Sequence, residues 1–171
     1  GIEAMPANFQ KAVANGRING LSNLIPIQAA LQDRRDVTSA TFEINEDNKK
    51  NMGSIALAQT GPGGIAPTSK AGVQQVTVRA TTLDELRSSM GNVRVAKFDI
   101  EGSELIAIRG GLTWLEESPP CVIIMEVDKI DLVAMTSLLE GKGFIKFAAG
   151  REGIQTVTDN VVFKSTKSEC K

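Results

Sequence analysis

Two acidic residues each end an apolar run of this sequence, and they are the side chains best placed for chemistry. Asp99 follows the run 95–98, and Glu126 follows the run 121–125. On a strand, Lys97 faces the same side as Asp99, two residues later. Burying an unpaired charge is costly, so Lys97 needs a partner, and Asp99 is the nearest. Ligands of open α/β sheets bind at the carboxyl ends of strands, which predicts a site at this edge.

The Asp99 and Glu126 carboxylates have three candidate roles. They could bind Mg²⁺, since hard oxygen ligands suit that ion. One of them could be a general base that removes a hydroxyl proton. They could also orient a substrate and Lys97. The alternative without function is that Asp99 only neutralises Lys97 and Glu126 only ends its strand. Two carboxylates without a third ligand make a poor metal site, so Mg²⁺ is not expected to be essential.

Alternating strands and helices surround these residues, which predicts one α/β domain over residues 1–171 with a parallel-rich sheet. Helices are predicted at 7–18 and 129–142, with a short one capped by Thr82. The runs 93–99 and 121–127 are mostly apolar and are interpreted as strands covered on both faces. The stretch 59–72 lacks periodicity and predicts a mobile loop. Further strands are predicted at 24–31, 40–45, 73–80, 144–148 and 159–164.

Composition excludes several classes of function. The net charge is −1 and no basic patch carries interleaved aromatic residues, which argues against nucleic-acid binding. His and Tyr are absent, so neither can serve as acid or base. No apolar run reaches transmembrane length, and no signal peptide is evident. Cys121 is expected to be a buried thiol and Cys170 an exposed one, with a disulfide between them as the less favoured alternative. Two free thiols fit a reducing, cytoplasmic location.

The segment from Lys97 to Glu104 resembles the FkbM family of S-adenosylmethionine-dependent methyltransferases. The family segment reads roughly Lys, hydrophobic, Asp, hydrophobic, Glu, Gly, small, Glu, and an amphipathic helix follows it. Other landmarks of that family are similar here, in the same order: 3–9, 19–21, 29–33, 82–86, Glu126 after Pro119-Pro120, and 159–163. The resemblance implies a Rossmann-like class I methyltransferase sheet with flanking helices. It also implies methyl transfer from S-adenosylmethionine, most readily to a hydroxyl of a small molecule or sugar.

The same resemblance implies roles for particular residues. Glu3 would accept hydrogen bonds from both ribose hydroxyls of the cofactor, although an acidic residue beside a helix N-terminus is favoured in any case. Ala29 and Ala30 would line the adenine, and ordinary packing explains them equally well. The catalytic set would be Asp99, Lys97, Glu101 and Glu126, with Asp99 also beside the cofactor. Glu104 matches the family segment, but helix-dipole placement explains it adequately.

The chain departs from the family at its start. Gly1-Ile2-Glu3 corresponds to the end of the family's second strand, and the Gly-rich turn that holds the cofactor's methionine part is not found. Residues 61–64 lack the flanking strand and helix of such a turn. We therefore expect an N-terminally incomplete fold, weak cofactor binding and exposed strand edges that favour a homodimer. The alternative function is a catalytically inactive interaction or oligomerisation module. A nicotinamide-binding protein is disfavoured because no G-x-G-x-x-G is present.

Overall fold

The protein contains both strands and helices in a computed structural model, which describes residues 1–44, 74–126, 131–147 and 160–170. The chain forms two compact units, 1–82 and 83–171. The first contains β1 (Ile2–Glu3), α1 (Pro6–Ile18), β2 (Ile27–Gln28), β3 (Ala30–Leu31), β4 (Ser39–Ile44) and β5 (Gln74–Thr81). The second contains α2 (Leu83–Met90), β6 (Val95–Phe98), α3 (Glu104–Arg109), α4 (Leu112–Glu117), β7 (Val122–Glu126), α5 (Leu132–Glu140), β8 (Phe144–Phe147), β9 (Asn160–Ser165) and a 3₁₀ helix, Ser168–Cys170. These elements confirm the α/β class.

In the first unit, the predicted strand 24–31 is two short strands with different partners. β2 pairs in parallel with β1, whereas β3 pairs in parallel with β5. β4 pairs antiparallel along its whole length with residues 74–79 of β5. Helix α1 begins at Pro6, a favoured first helical residue because it has no N–H to leave unsatisfied. The core of this unit is apolar and consists of Met5, Ala30, Ala40, Phe42, Ile44, Val78 and Ala80.

The second unit is built on a four-stranded sheet of order β6-β7-β9-β8. Only β6 and β7 run parallel, and the other two pairings are antiparallel, so this sheet is mixed and not parallel-rich. Its burial alternates. Ile123 and Met125 of β7 are fully buried, whereas Val95 and Lys97 of β6 are exposed. The expectation that β6 is covered on both faces is therefore wrong, and the face that carries Lys97 is open to solvent.

The C-terminus of the second unit is fixed by a disulfide between Cys121 and Cys170, 49 residues apart. Cys121 directly precedes β7, and Cys170 ends the 3₁₀ helix that follows β9. The antiparallel pairing of β7 with β9 brings the two ends together, and the Ser165 amide donates to the Cys121 carbonyl at 2.9 Å. The expectation of two free cysteines, one of them exposed at a loose terminus, is therefore wrong.

Some expectations lie outside what the structure tests. The predicted loop at 59–72 falls outside the described residues. The single domain over 1–171 stays a prediction. Among the helices of the described ranges, none combines the length and the apolarity needed to cross a bilayer.

Candidate functional site in the second unit

A tight turn at residues 100–103 directly follows Asp99 and carries another predicted catalytic carboxylate, that of Glu101. The Ser103 amide donates to the Ile100 carbonyl at 3.3 Å and closes a four-residue turn. Both central residues have positive φ, 57° at Glu101 and 90° at Gly102. Glycine adopts this region freely because it has no Cβ, so Gly102 permits the tight turn. A glutamate there is uncommon and costs about 1–2 kcal/mol, so Glu101 occupies a strained position.

This turn brings the carboxylates of Asp99, Glu101 and Glu126 together. One oxygen of each lies within 4.8 Å of the others. The sheet explains the arrangement: β6 and β7 are parallel neighbours with Phe98 opposite Met125, so Asp99 and Glu126 follow at the same edge. The turn then directs Glu101 back toward them. Three of the four residues assigned to catalysis thus form one cluster, called here the acidic rim.

Lys97, the fourth of these residues, forms an ion pair with the acidic rim. Its Nζ lies 2.6 Å from Asp99 Oδ2, which confirms the predicted pairing. The two side chains are 56% and 50% exposed, so the expected burial of Lys97 is wrong. An exposed ion pair contributes only about 0–1 kcal/mol to stability. Stability alone therefore gives little reason for this ion pair to form. The pair orients Asp99 and places a positive charge beside the rim.

The rim can do two kinds of chemistry. Its carboxylates can accept a proton from a hydroxyl, and three clustered carboxylate oxygens also suit a hard divalent cation better than the two foreseen from the sequence. Because Lys97 already contacts one oxygen of Asp99, a cation there would have to compete with an ammonium group.

Glu3, the residue predicted to bind ribose, lies in the first unit at the end of β1. Its Oε1 accepts a hydrogen bond at 2.7 Å from the Met5 amide, directly before α1. Its carbonyl accepts from the Ala29 amide at 3.2 Å. Glu3 thus satisfies an amide at the N-terminus of α1. This contact agrees with the alternative that an acidic residue is favoured beside a helix N-terminus whatever its function.

Ala29 and Ala30, predicted to line the adenine, are 2% and 4% exposed. Ala30 belongs to the core of the first unit together with Met5 and Phe42. Packing therefore accounts for Ala30 directly. For both alanines a role beside the adenine stays a prediction.

Glu104 is a residue whose importance sequence reasoning missed. It is fully buried, and its Oε1 accepts a hydrogen bond at 2.9 Å from the Ile100 amide. Among the described residues, its Oε2 has no hydrogen-bond partner. Helix-dipole placement favours an acidic residue at this position but does not require its burial. The sequence signal that could have indicated a role for Glu104 was its position five residues after Asp99 in the family-like segment.

Asp84, from another family-like landmark, supports the helix pair that follows the acidic rim. Its Oδ1 accepts from the Trp114 amide at 2.7 Å and its Oδ2 from the Thr113 amide at 3.2 Å, both in the first turn of α4. Its own amide donates to the Gly110 carbonyl at 2.9 Å, at the end of α3. Asp84 thus holds the junction between α3 and α4. The sequence predicted Thr82 as the cap of α2 and gave Asp84 no such role.

The family model described as Methyltransferase FkbM domain matches residues 1–146, which include the acidic rim, Lys97 and Glu3. No curated protein and no solved structure matches the chain. Since the family match covers most of the 171 residues, the chain belongs to the FkbM methyltransferase family.

Proposed function

We propose that this protein transfers a methyl group from S-adenosylmethionine to a hydroxyl oxygen of a small molecule or sugar. The observation that carries the proposal is the acidic rim: in a chain of the FkbM family, three carboxylates converge where two parallel strands end. Membership of the family supports methyl transfer in general. The hydroxyl acceptor is inferred from the rim, because a hydroxyl must lose its proton and carboxylates can take it.

The chemistry is an in-line displacement. The donor supplies an electrophilic methyl group on a sulfonium. The acceptor oxygen forms a bond to that carbon as the sulfur–carbon bond breaks, and the hydroxyl proton passes to Asp99 or Glu126. Lys97 holds Asp99 in place and balances the negative charge of the rim. The protein then contributes chiefly proximity and orientation of the reacting groups.

Glu3 is the residue of the first unit proposed to bind the donor. Its Oε1 is fixed by the Met5 amide, which orients the carboxylate. Oε2 is then the oxygen proposed to accept from the ribose hydroxyls, with Ala29 and Ala30 beside the adenine. Magnesium is compatible with the rim and is not proposed to be essential.

A second candidate is a non-catalytic interaction module that forms a homodimer. β8 lies at one edge of the four-stranded sheet, and its Ile145 and Phe147 are exposed. An apolar strand at a sheet edge can pair with another chain. Light scattering of the purified protein separates the candidates when it is combined with the transfer assay below.

Residence in the cytoplasm remains a prediction. The Cys121–Cys170 disulfide weighs against it, because disulfides persist mainly in oxidising compartments.

The proposed function is tested with a methyl-labelled donor. The protein is incubated at saturating S-adenosylmethionine with a panel of sugars and small alcohols, next to matched amines and thiols. We expect label in the alcohols and less in the amines and thiols. Label only in amines or thiols would overturn the hydroxyl assignment. Absence of transfer by a protein that dimerises would favour the interaction module.

A further inference from the structure

The turn that follows Asp99 and carries Glu101 is held by a buried glutamate with no assigned role. We infer that Glu104 is a positioning residue, which fixes this turn so that the carboxylates of the acidic rim converge. The inference rests on the proposed function of the rim and names a residue on which that function depends. Its basis is the hydrogen bond from the Ile100 amide to Glu104 Oε1, at 2.9 Å.

The strain at Glu101 shows why the turn needs support. Glu101 has φ of 57° and is, among the described residues, the one non-glycine with positive φ. Backbone conformations of this kind persist only where surrounding interactions impose them, and they gather at functional sites. The turn is closed by the Ser103-to-Ile100 hydrogen bond, whose 3.3 Å is long. The shorter bond to Glu104 restrains the same residue, Ile100, from its amide side.

The burial of Glu104 shows that packing alone does not explain it. Its side chain is fully buried, and its Oε2 lacks a hydrogen-bond partner among the described residues. Burying a carboxylate with one oxygen unsatisfied is costly, and an apolar side chain of similar size could fill the space at lower cost. A glutamate is favoured over an apolar residue here only because of the group that donates a hydrogen bond to its other oxygen, Oε1. That group is the amide between the two rim residues Asp99 and Glu101.

Asp84 anchors α3 at its far end. Glu104 is the first residue of α3. The backbone amide of Asp84 donates a hydrogen bond to the carbonyl of Gly110, directly after that helix. The helix that carries Glu104 is therefore restrained at both ends. Through its hydrogen bond with the Ile100 amide, Glu104 thus holds the turn in place relative to α3.

The test uses two substitutions of similar size. Glu104→Gln keeps a carbonyl oxygen that can accept from Ile100, whereas Glu104→Met fills the space without an acceptor. Glu140→Gln, at an exposed glutamate on α5, is the control. Hydrogen exchange of the Ile100 amide reports the bond directly. For Glu104→Met we expect exchange to be at least about tenfold faster, with global stability equal to or above that of the wild type.

Methyl transfer provides the second readout. Glu104→Met is expected to lower kcat about 10- to 100-fold with little change in KM for the donor, because the rim is misplaced while donor binding remains. Glu104→Gln should restore most of that loss. The inference is overturned if Glu104→Met leaves Ile100 exchange unchanged, or if kcat survives although the exchange increases. If the wild type transfers no methyl group, the proposed function fails, and the exchange measurement still decides whether Glu104 holds the turn.

Discussion

Asp99 Oδ2 lies 2.6 Å from Lys97 Nζ, two residues earlier on the same side of β6. Both side chains are about half exposed, so this ion pair adds little to stability. It does fix the direction in which Asp99 points, toward the edge where Glu101 and Glu126 also lie. The positive charge of Lys97 therefore already lies beside the acidic rim, which reduces the need for a metal ion there.

We expect methyl transfer to persist in the presence of a chelator. Asp99 already contacts the Lys97 ammonium, which a divalent cation would have to displace. The check is the transfer rate after treatment with EDTA and after addition of Mg²⁺. Full loss of activity in EDTA that Mg²⁺ reverses would show that the three carboxylates hold an essential cation.

Asp99→Asn should impair methyl transfer more than Glu104→Gln does. The first change removes a rim carboxylate, and we expect a loss of at least about 100-fold. The second retains an acceptor for the Ile100 amide, so the loss should stay below about tenfold. Single-turnover rates measure both, with Glu140→Gln as the control. Equal activity of the two variants would mean that the end of β6 is wrongly assigned.

Glu101→Gly should separate stability from activity. Glycine adopts the positive φ of this position without strain, so the free energy of unfolding should be unchanged or higher by up to about 1 kcal/mol. Methyl transfer should fall, because a rim carboxylate is lost. The matched control is Gly91→Ala, at φ of 59° with open space around the added Cβ, which should lose about 1 kcal/mol.

Urea unfolding followed by fluorescence of Trp114 measures both of these variants. A clear loss of stability in Glu101→Gly would show that the glutamate side chain stabilises the turn, and that Glu101 is retained for structure.

Reduction of the Cys121–Cys170 disulfide should lower stability by about 2–4 kcal/mol, because it releases a link between residues far apart in the chain. Thermal unfolding with and without dithiothreitol measures the effect. The double variant with both cysteines changed to Ser should unfold at the temperature of the reduced wild type and should not respond to the reductant. A wild-type Tm that is insensitive to dithiothreitol would contradict the link.

The sequence was sufficient to predict where the rim lies, because apolar runs that end at Asp99 and Glu126 are local patterns. It was also sufficient to pair Lys97 with Asp99. Glu101 was assigned to the same site only through the family resemblance. Local patterns could not place it beside the other two, because its position depends on a positive φ which glutamate rarely adopts. Nor could they show that Glu104 is buried, because an acidic residue in a first helical turn is favoured on electrostatic grounds alone.

Features that depend on distant pairing were also missed. The cysteines Cys121 and Cys170 lie in dissimilar surroundings in the sequence, and only the register of β7 against β9 brings them together. Likewise, the apolar stretch 24–31 has no internal signal for its division between two partner strands. The landmark at Asp84 was recognised, but its contact with Trp114 spans 30 residues.

The most direct test of the catalytic rim is a double-mutant cycle on Asp99 and Glu126. Single-turnover methyl transfer to an alcohol acceptor is measured for the wild type, Asp99→Asn, Glu126→Gln and the double variant. If the two carboxylates act on one proton, each single variant should be slow, and the double variant should be little slower than the worse single one. Single variants as fast as the wild type, or losses that simply multiply in the double variant, would contradict a shared role at the rim.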